Sequence, residues 1–112
     1  MVFFGCCDIN AHQGRQLFHE LDLTEKQKTQ LKINKKELNK QLKALGNQMY
    51  QKNKELNEEI NQVNPNSKKI KKFKKEYILL LEKQMDAKIN YFLRSKKMLT
   101  LKQREELYKK NY

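Results

Sequence analysis

Val63-Asn64-Pro65-Asn66-Ser67 is the stretch on which the fold turns. It holds the only proline of the 112 residues, two turn-prone asparagines and a serine able to cap whatever follows. Proline removes a backbone donor, and asparagine bonds its own backbone in turns, so a helix arriving at Val63 stops there. The segment is therefore expected to reverse the chain into a helical hairpin.

Working outward toward the N-terminus, Thr24 to about Gln62 carries Leu31, Leu38, Leu42, Leu45, Met49, Leu56, Ile60 and Val63 at steps of three, four or seven. That spacing predicts one apolar stripe along a long helix, with Gly46-Asn47 as the place for a bend. Toward the C-terminus, the return helix is expected from about Lys68 to Lys97. Ile70, Phe73, Tyr77, Leu80, Leu81, Met85, Ile89 and Phe92 form its stripe, and Ile78 and Leu79 widen it. So broad a face suggests burial against more than one neighbour. Short helices are expected outside this pair, one over Gln13–Leu21 and one after Thr100 with Leu101, Leu107 and Tyr108 as its apolar side.

The two outer junctions repeat one pattern, Leu23-Thr24-Glu25-Lys26-Gln27 and Leu99-Thr100-Leu101-Lys102-Gln103, each LTxxQ. Threonine followed three residues later by glutamine is a capping box. The hydroxyl accepts from the third helical amide, and the Gln side chain accepts from the Thr amide. Each copy should start a helix, and many helix starts look like this without any functional meaning.

Composition agrees with an all-α protein. The chain is 38% hydrophobic and 34% charged, with three Gly and no Trp, which favours helix over sheet. So few apolar residues make a thin core, and a second copy of the chain is the natural cover for what is left exposed. The net charge of +12 attracts polyanions, acidic proteins or anionic lipid without choosing among them.

Two LTxxQ copies, each preceded by Leu and followed by a basic residue (Lys28, Arg104), one opening the long helix and one the last, resemble the Spy/CpxP family of periplasmic LTxxQ proteins. The resemblance covers roughly residues 17 to 110 in layout, and the two motifs match residue by residue. It implies an exported protein, a long helical hairpin flanked by short helices, and an antiparallel homodimer forming a curved cradle. It also implies an ATP-independent chaperone or envelope-stress adaptor for unfolded or partly folded proteins. On that reading Leu23, Thr24, Gln27, Leu99, Thr100 and Gln103 are structural motif residues.

The N-terminal Met1-Val2-Phe3-Phe4-Gly5-Cys6-Cys7 run fits no amphipathic helix. It reads as the end of a signal peptide cleaved after Ile9-Asn10-Ala11, as a loose lipobox tethering Cys6 to a membrane, or as an ordinary terminus. Residues 1–11 are accordingly set apart from a helical domain over 12–112. No later stretch approaches the roughly 20 apolar residues that cross a bilayer.

Candidate client-binding residues follow from charge and adaptable apolar groups. Lys68, Lys69, Lys71, Lys72, Lys74 and Lys75 surround Ile70 and Phe73 on flexible stems, and Arg94 adds a cation further on. Met49, Tyr50, Phe73 and Tyr77 are the candidate apolar contacts, against the plainer reading that they are core or dimer interface. Two other function classes compete. A metal sensor resembling CnrX or ZraP would use His12 and His19, with Cys6, Cys7 and Met98 as further donors, but seven residues of helix separate the two histidines by about 10 Å. Paired helical ligands more often sit at i and i+4. Nucleic-acid binding would draw on the lysines, but the sequence has no recognition motif and no aromatic stacking platform. It also offers no phosphate-binding Gly loop or nucleophile–base pair, so neither catalytic residues nor a cofactor is expected.

Overall fold

The computed structural model describes Phe18 and residues 21–111. Three helices follow in order: α1 over Glu25–Ile60, α2 over Ser67–Lys97 and α3 over Leu101–Asn111. No strand occurs among the described residues, and the chain is an all-α helical hairpin with a short helix after it. Phe18 is helical, while the rest of the expected Gln13–Leu21 helix except Leu21 lies outside the described residues, as do residues 1–11.

The chain forms two compact units, Met1–Leu38 with Lys88–Tyr112, here the motif unit, and Asn39–Ala87, here the tip unit. In the tip unit the turn works as its composition requires, with one correction. Asn66, not Ser67, caps α2, its Oδ1 accepting from the amides of Lys68 (2.9 Å) and Lys69 (3.2 Å). Glu59 Oε2 in turn accepts from the Asn66 amide at 3.0 Å and holds that residue just outside the helix, which leaves Ser67 as the first helical position.

The tip-unit core is thin. Leu80 and Ala87 are its only buried apolar side chains, and Leu42, Leu45, Met49, Leu56, Ile70, Phe73, Tyr77, Leu81 and Met85 are half-buried. Two expected stripe members fall out of it. Ile60, the last residue of α1, is half exposed, and Val63, in the turn beyond the helix, is 95% exposed. Lys52 joins the two helices, its Nζ 3.3 Å from Glu55 Oε2 and 3.5 Å from Glu76 Oε1. Burial acts to lower the Lys52 pKa, but hydrogen bonding and charge from Glu55 and Glu76 outweigh it and hold the ammonium above its ordinary 10.5.

Helix α1 runs unbroken through Gly46-Asn47, so the expected bend is not marked by any interruption of the helix. Gly46 has negative φ, and a Cβ there would meet nothing within 4 Å. Glycine's extra unfolded-state freedom is thus uncompensated, and Gly46→Ala is expected to stabilise the protein by about 1 kcal/mol. A urea or thermal melt checks this, and an unchanged or lowered midpoint would show that the position needs glycine for something outside helix geometry.

The motif unit holds the better core. Phe18, Leu21, Leu23, Leu31, Leu38, Tyr91, Leu99 and Leu107 are all buried. Phe18, Tyr91 and Phe92 form an aromatic cluster, with ring centroids 5.5 to 6.3 Å apart and the Tyr91 ring edge-on to the other two. Ser95 is fully buried and its Oγ accepts from Asn34 Nδ2 at 3.3 Å, while Asn34 Oδ1 accepts from Gln30 at 2.9 Å. A buried polar pair of this kind fixes the register of α1 against α2, because a slip of one turn would leave both groups unpaired.

The core side of α2 differs from the stripe expected for it. Tyr77, Leu80, Gln84 and Ala87 face inward in the tip unit, and Tyr91 and Ser95 in the motif unit, whereas Ile89 is 50% exposed. On α3 Leu107 is the one buried side chain among the described residues, and Leu101 and Tyr108 lie on the solvent side. The cause is local to the motif: α3 is held by Gln103, and the 100° step per residue puts Leu101 and Tyr108 together on a different side from Leu107.

Candidate functional site

Both LTxxQ motifs form capping boxes. Thr24 Oγ1 accepts from the Gln27 amide at 3.1 Å, and Gln27 Oε1 accepts from the Thr24 amide at 3.0 Å. The second copy repeats this at 3.2 Å (Gln103 amide to Thr100 Oγ1) and 2.9 Å (Thr100 amide to Gln103 Oε1). The first turns then close regularly, Lys28 N to Thr24 O and Arg104 N to Thr100 O. Leu23 and Leu99, one residue before each cap, are buried and anchor the two helix starts in the motif-unit core.

What the sequence does not announce is that the two boxes bind each other. Gln27 Nε2 donates to Gln103 Oε1 at 2.8 Å, and Gln103 Nε2 donates to Gln27 Oε1 at 3.0 Å, a reciprocal amide pair across 76 residues of sequence. The second proton of each amide goes to a carbonyl of the opposite junction. Gln27 Nε2 reaches Met98 O at 3.1 Å and Gln103 Nε2 reaches Asp22 O at 2.9 Å. Met98 and Asp22 each lie two residues before the threonine of their own motif, so the arrangement has local two-fold symmetry. Each glutamine makes four side-chain hydrogen bonds, two given and two accepted, the full capacity usually assigned to an amide group. The six motif residues thus come together as a clasp that joins the N-termini of α1 and α3. This is structural work, with no group in it suited to bond-making chemistry.

The candidate client-binding residues divide differently. Met49, Tyr50, Lys68, Lys69, Lys71, Lys72, Phe73, Lys74, Lys75 and Tyr77 belong to the tip unit, and Arg94 belongs to the motif unit. All six lysines and Arg94 are exposed, Met49, Phe73 and Tyr77 are half-buried, and Tyr50 stands out at 72% exposure. Exposed apolar side chains outside this candidate set include Ile78 (50%) and Leu79 (53%) in the tip unit and Ile33 (53%) and Leu93 (57%) in the motif unit. The signal for the first two was present in the breadth of the α2 apolar face.

Lys68, Lys71, Lys72, Lys75, Ile78 and Leu79 fall at i, i+3, i+4, i+7, i+10 and i+11 along α2. That spacing puts them on one side of the helix, about opposite Tyr77, Leu80 and Gln84. The result is an outward stripe on the tip unit, basic at the turn end and apolar beyond it.

His12, His19, Cys6 and Cys7 lie outside the described residues, and among the described residues no three His, Cys, Asp or Glu side chains converge. No described helix is long and apolar enough to cross a membrane. Comparison with known proteins finds no matching family model, no matching curated protein and no matching solved structure.

Proposed function

We propose that this protein is an exported, ATP-independent chaperone or envelope-stress adaptor of the Spy/CpxP kind, working in the periplasm as a homodimer that forms a curved cradle for unfolded proteins. The outward stripe of α2 is the observation that carries the reading. Four lysines supply long-range attraction to acidic segments, and Ile78 and Leu79 supply apolar contact at short range, which is all that capture of a non-native chain requires.

Helix energetics support the same assignment. The first turn of α2 has no acidic residue and carries Lys68 and Lys69 at the positive end of the helix dipole. Cations there oppose helix formation by roughly 0.3–1 kcal/mol each. The Glu59 carboxylate on the Asn66 amide offsets part of this cost, and a local preference violated at exposed positions is expected where function, not stability, selects the residue.

The LTxxQ clasp accounts for the remaining part of the resemblance, because it holds the helix junctions while leaving the tip unit's surface uncommitted. No catalytic group or cofactor enters this reading. The test is light scattering of a denatured acidic client diluted into low-salt buffer. Stoichiometric protein is expected to suppress aggregation without nucleotide, and suppression should weaken as salt screens the lysines. Unchanged aggregation at a stoichiometric ratio in low salt would sink the proposal. Tight stoichiometric zinc, nickel, cobalt or copper lost on replacing His12 or His19 would favour the metal-sensing alternative.

A further inference from the structure

The motif unit contains a cavity of about 260 Å³ at the start of α1. Leu21, Leu23, Leu31 and Tyr91 form its apolar floor, and all four are buried. Its rim carries Lys28, Lys32 and Lys35, with Thr29 and Glu25 alongside.

The helical repeat explains this composition. Positions 28, 32 and 35 are i, i+4 and i+7, so three ammonium groups line one ridge of α1, and Leu31 lies on the adjoining ridge that turns into the core. Among the described residues Glu25 is the one acid on the rim. Its 3.4 Å pair with Lys28 is solvent-exposed, with the carboxylate side chain 92% accessible, so it holds Lys28 only weakly. Lys32 and Lys35 have no acidic partner among the described residues. The N-terminal end of the α1 dipole adds further positive potential at the same place.

We infer that this cavity binds a single-chain anionic amphiphile, a fatty-acid-like carboxylate whose tail lies on Leu21, Leu23, Leu31 and Tyr91 and whose head group sits among Lys28, Lys32 and Lys35. Charge complementarity chooses an anion, and the apolar floor chooses a ligand with a tail. The volume, just below the range of about 300–1,000 Å³ usual for small-molecule sites, suits one alkyl chain better than a fused ring system. Lysine is suited to the rim because it delivers a charge on an adaptable apolar stem instead of demanding one fixed geometry. The inference rests on the motif unit alone and stands or falls separately from the chaperone reading, whose outward α2 stripe is in the tip unit.

Titration calorimetry on the full chain with decanoate, kept below its micellar concentration, tests it. One molecule is expected to bind per chain. Octanoate, two methylenes shorter, should bind roughly fifteenfold more weakly, since each methylene withdrawn from apolar contact weakens binding about fourfold. Acetate and inorganic phosphate should not bind measurably, and decyltrimethylammonium should bind at least tenfold more weakly than decanoate. Lys32→Glu, a change at an exposed position, should lower decanoate affinity about tenfold, and Lys32→Arg should retain it. Circular dichroism confirms that both variants fold.

Several results would overturn the inference: no heat of binding, equal binding of the cationic amphiphile, binding of many decanoates per chain, or identical affinity in Lys32→Glu. Lys32→Glu is expected to suppress client aggregation as well as the parent, which keeps failure of this site distinct from failure of the chaperone proposal.

Discussion

Gln27→Ala is expected to destabilise the protein by about 3 kcal/mol. The side chain makes four hydrogen bonds, to the Thr24 amide, to both polar atoms of the Gln103 amide and to the Met98 carbonyl. Each contributes roughly 0.5–1.5 kcal/mol net, and the half-exposed setting of both glutamines favours the lower part of the sum. At a urea slope of about 1.5 kcal/mol per M the midpoint should fall by about 2 M. Thr24→Ala removes only the cap and should cost about 1 kcal/mol. Equal losses from the two substitutions would mean that the clasp adds nothing to the capping box.

A double-mutant cycle isolates the mutual pairing. Gln27→Ala with Gln103→Ala should cost 1–2 kcal/mol less than the sum of the single changes, since the second removal finds its partner already gone. Strict additivity would show that the two boxes act independently. Gln27→Glu is the sharper probe of geometry. It sets a carboxylate oxygen against the Met98 carbonyl, 3.1 Å from the present amide nitrogen, where a donor is required. At neutral pH it should therefore be worse than alanine. The folded state favours the protonated acid, so the carboxyl pKa is raised above its ordinary value of about 4.3. The penalty accordingly grows as pH rises through and above that value and is relieved in part below it.

The contrast between what the clasp residues declare in sequence and what they do in space has a physical basis. A capping box is a local bargain among four consecutive residues, so Thr24–Gln27 and Thr100–Gln103 are legible without any knowledge of the fold. The reciprocal amide pair is decided by how two helix starts meet, and nothing in either pentapeptide encodes that meeting. The same reasoning applies to α2. Its existence and its limits follow from Pro65 and from apolar periodicity. Its rotation does not, because apolar residues surround much of the helix between Ile78 and Leu93 and periodicity loses its phase there. Burial of Tyr91 and Ser95 instead of Ile89 is fixed by partners, the Phe18 and Phe92 rings and the Asn34 amide. The choice of Asn66 over Ser67 as the cap depends likewise on Glu59 reaching across the turn.

Reversing the charge of the basic stripe should have the largest effect on activity. In the variant Lys68→Glu, Lys71→Glu, Lys72→Glu and Lys75→Glu each change removes two positive charges, taking the net charge from +12 to +4 and making one side of the α2 start acidic. Folding should survive. All four positions are exposed, none is in the Lys52–Glu55–Glu76 group, and acids near a helix N-terminus are favoured by the dipole. Electrostatic steering changes association rates by 10- to 1,000-fold, so capture of an acidic client in low salt should slow by at least about tenfold and suppression at stoichiometric protein should be lost. Near 1 M salt the screening length is only about 3 Å, and parent and variant should converge on the weaker activity that apolar contact alone provides. Ile78→Ser with Leu79→Ser should behave in the opposite way, losing activity by a similar factor at every salt concentration because the removed interaction is apolar. The two variants therefore separate attraction from contact on a single face of one helix. Equal suppression by the charge-reversed variant and the parent in low salt would remove the lysines from client capture and leave the basic stripe without the role proposed for it.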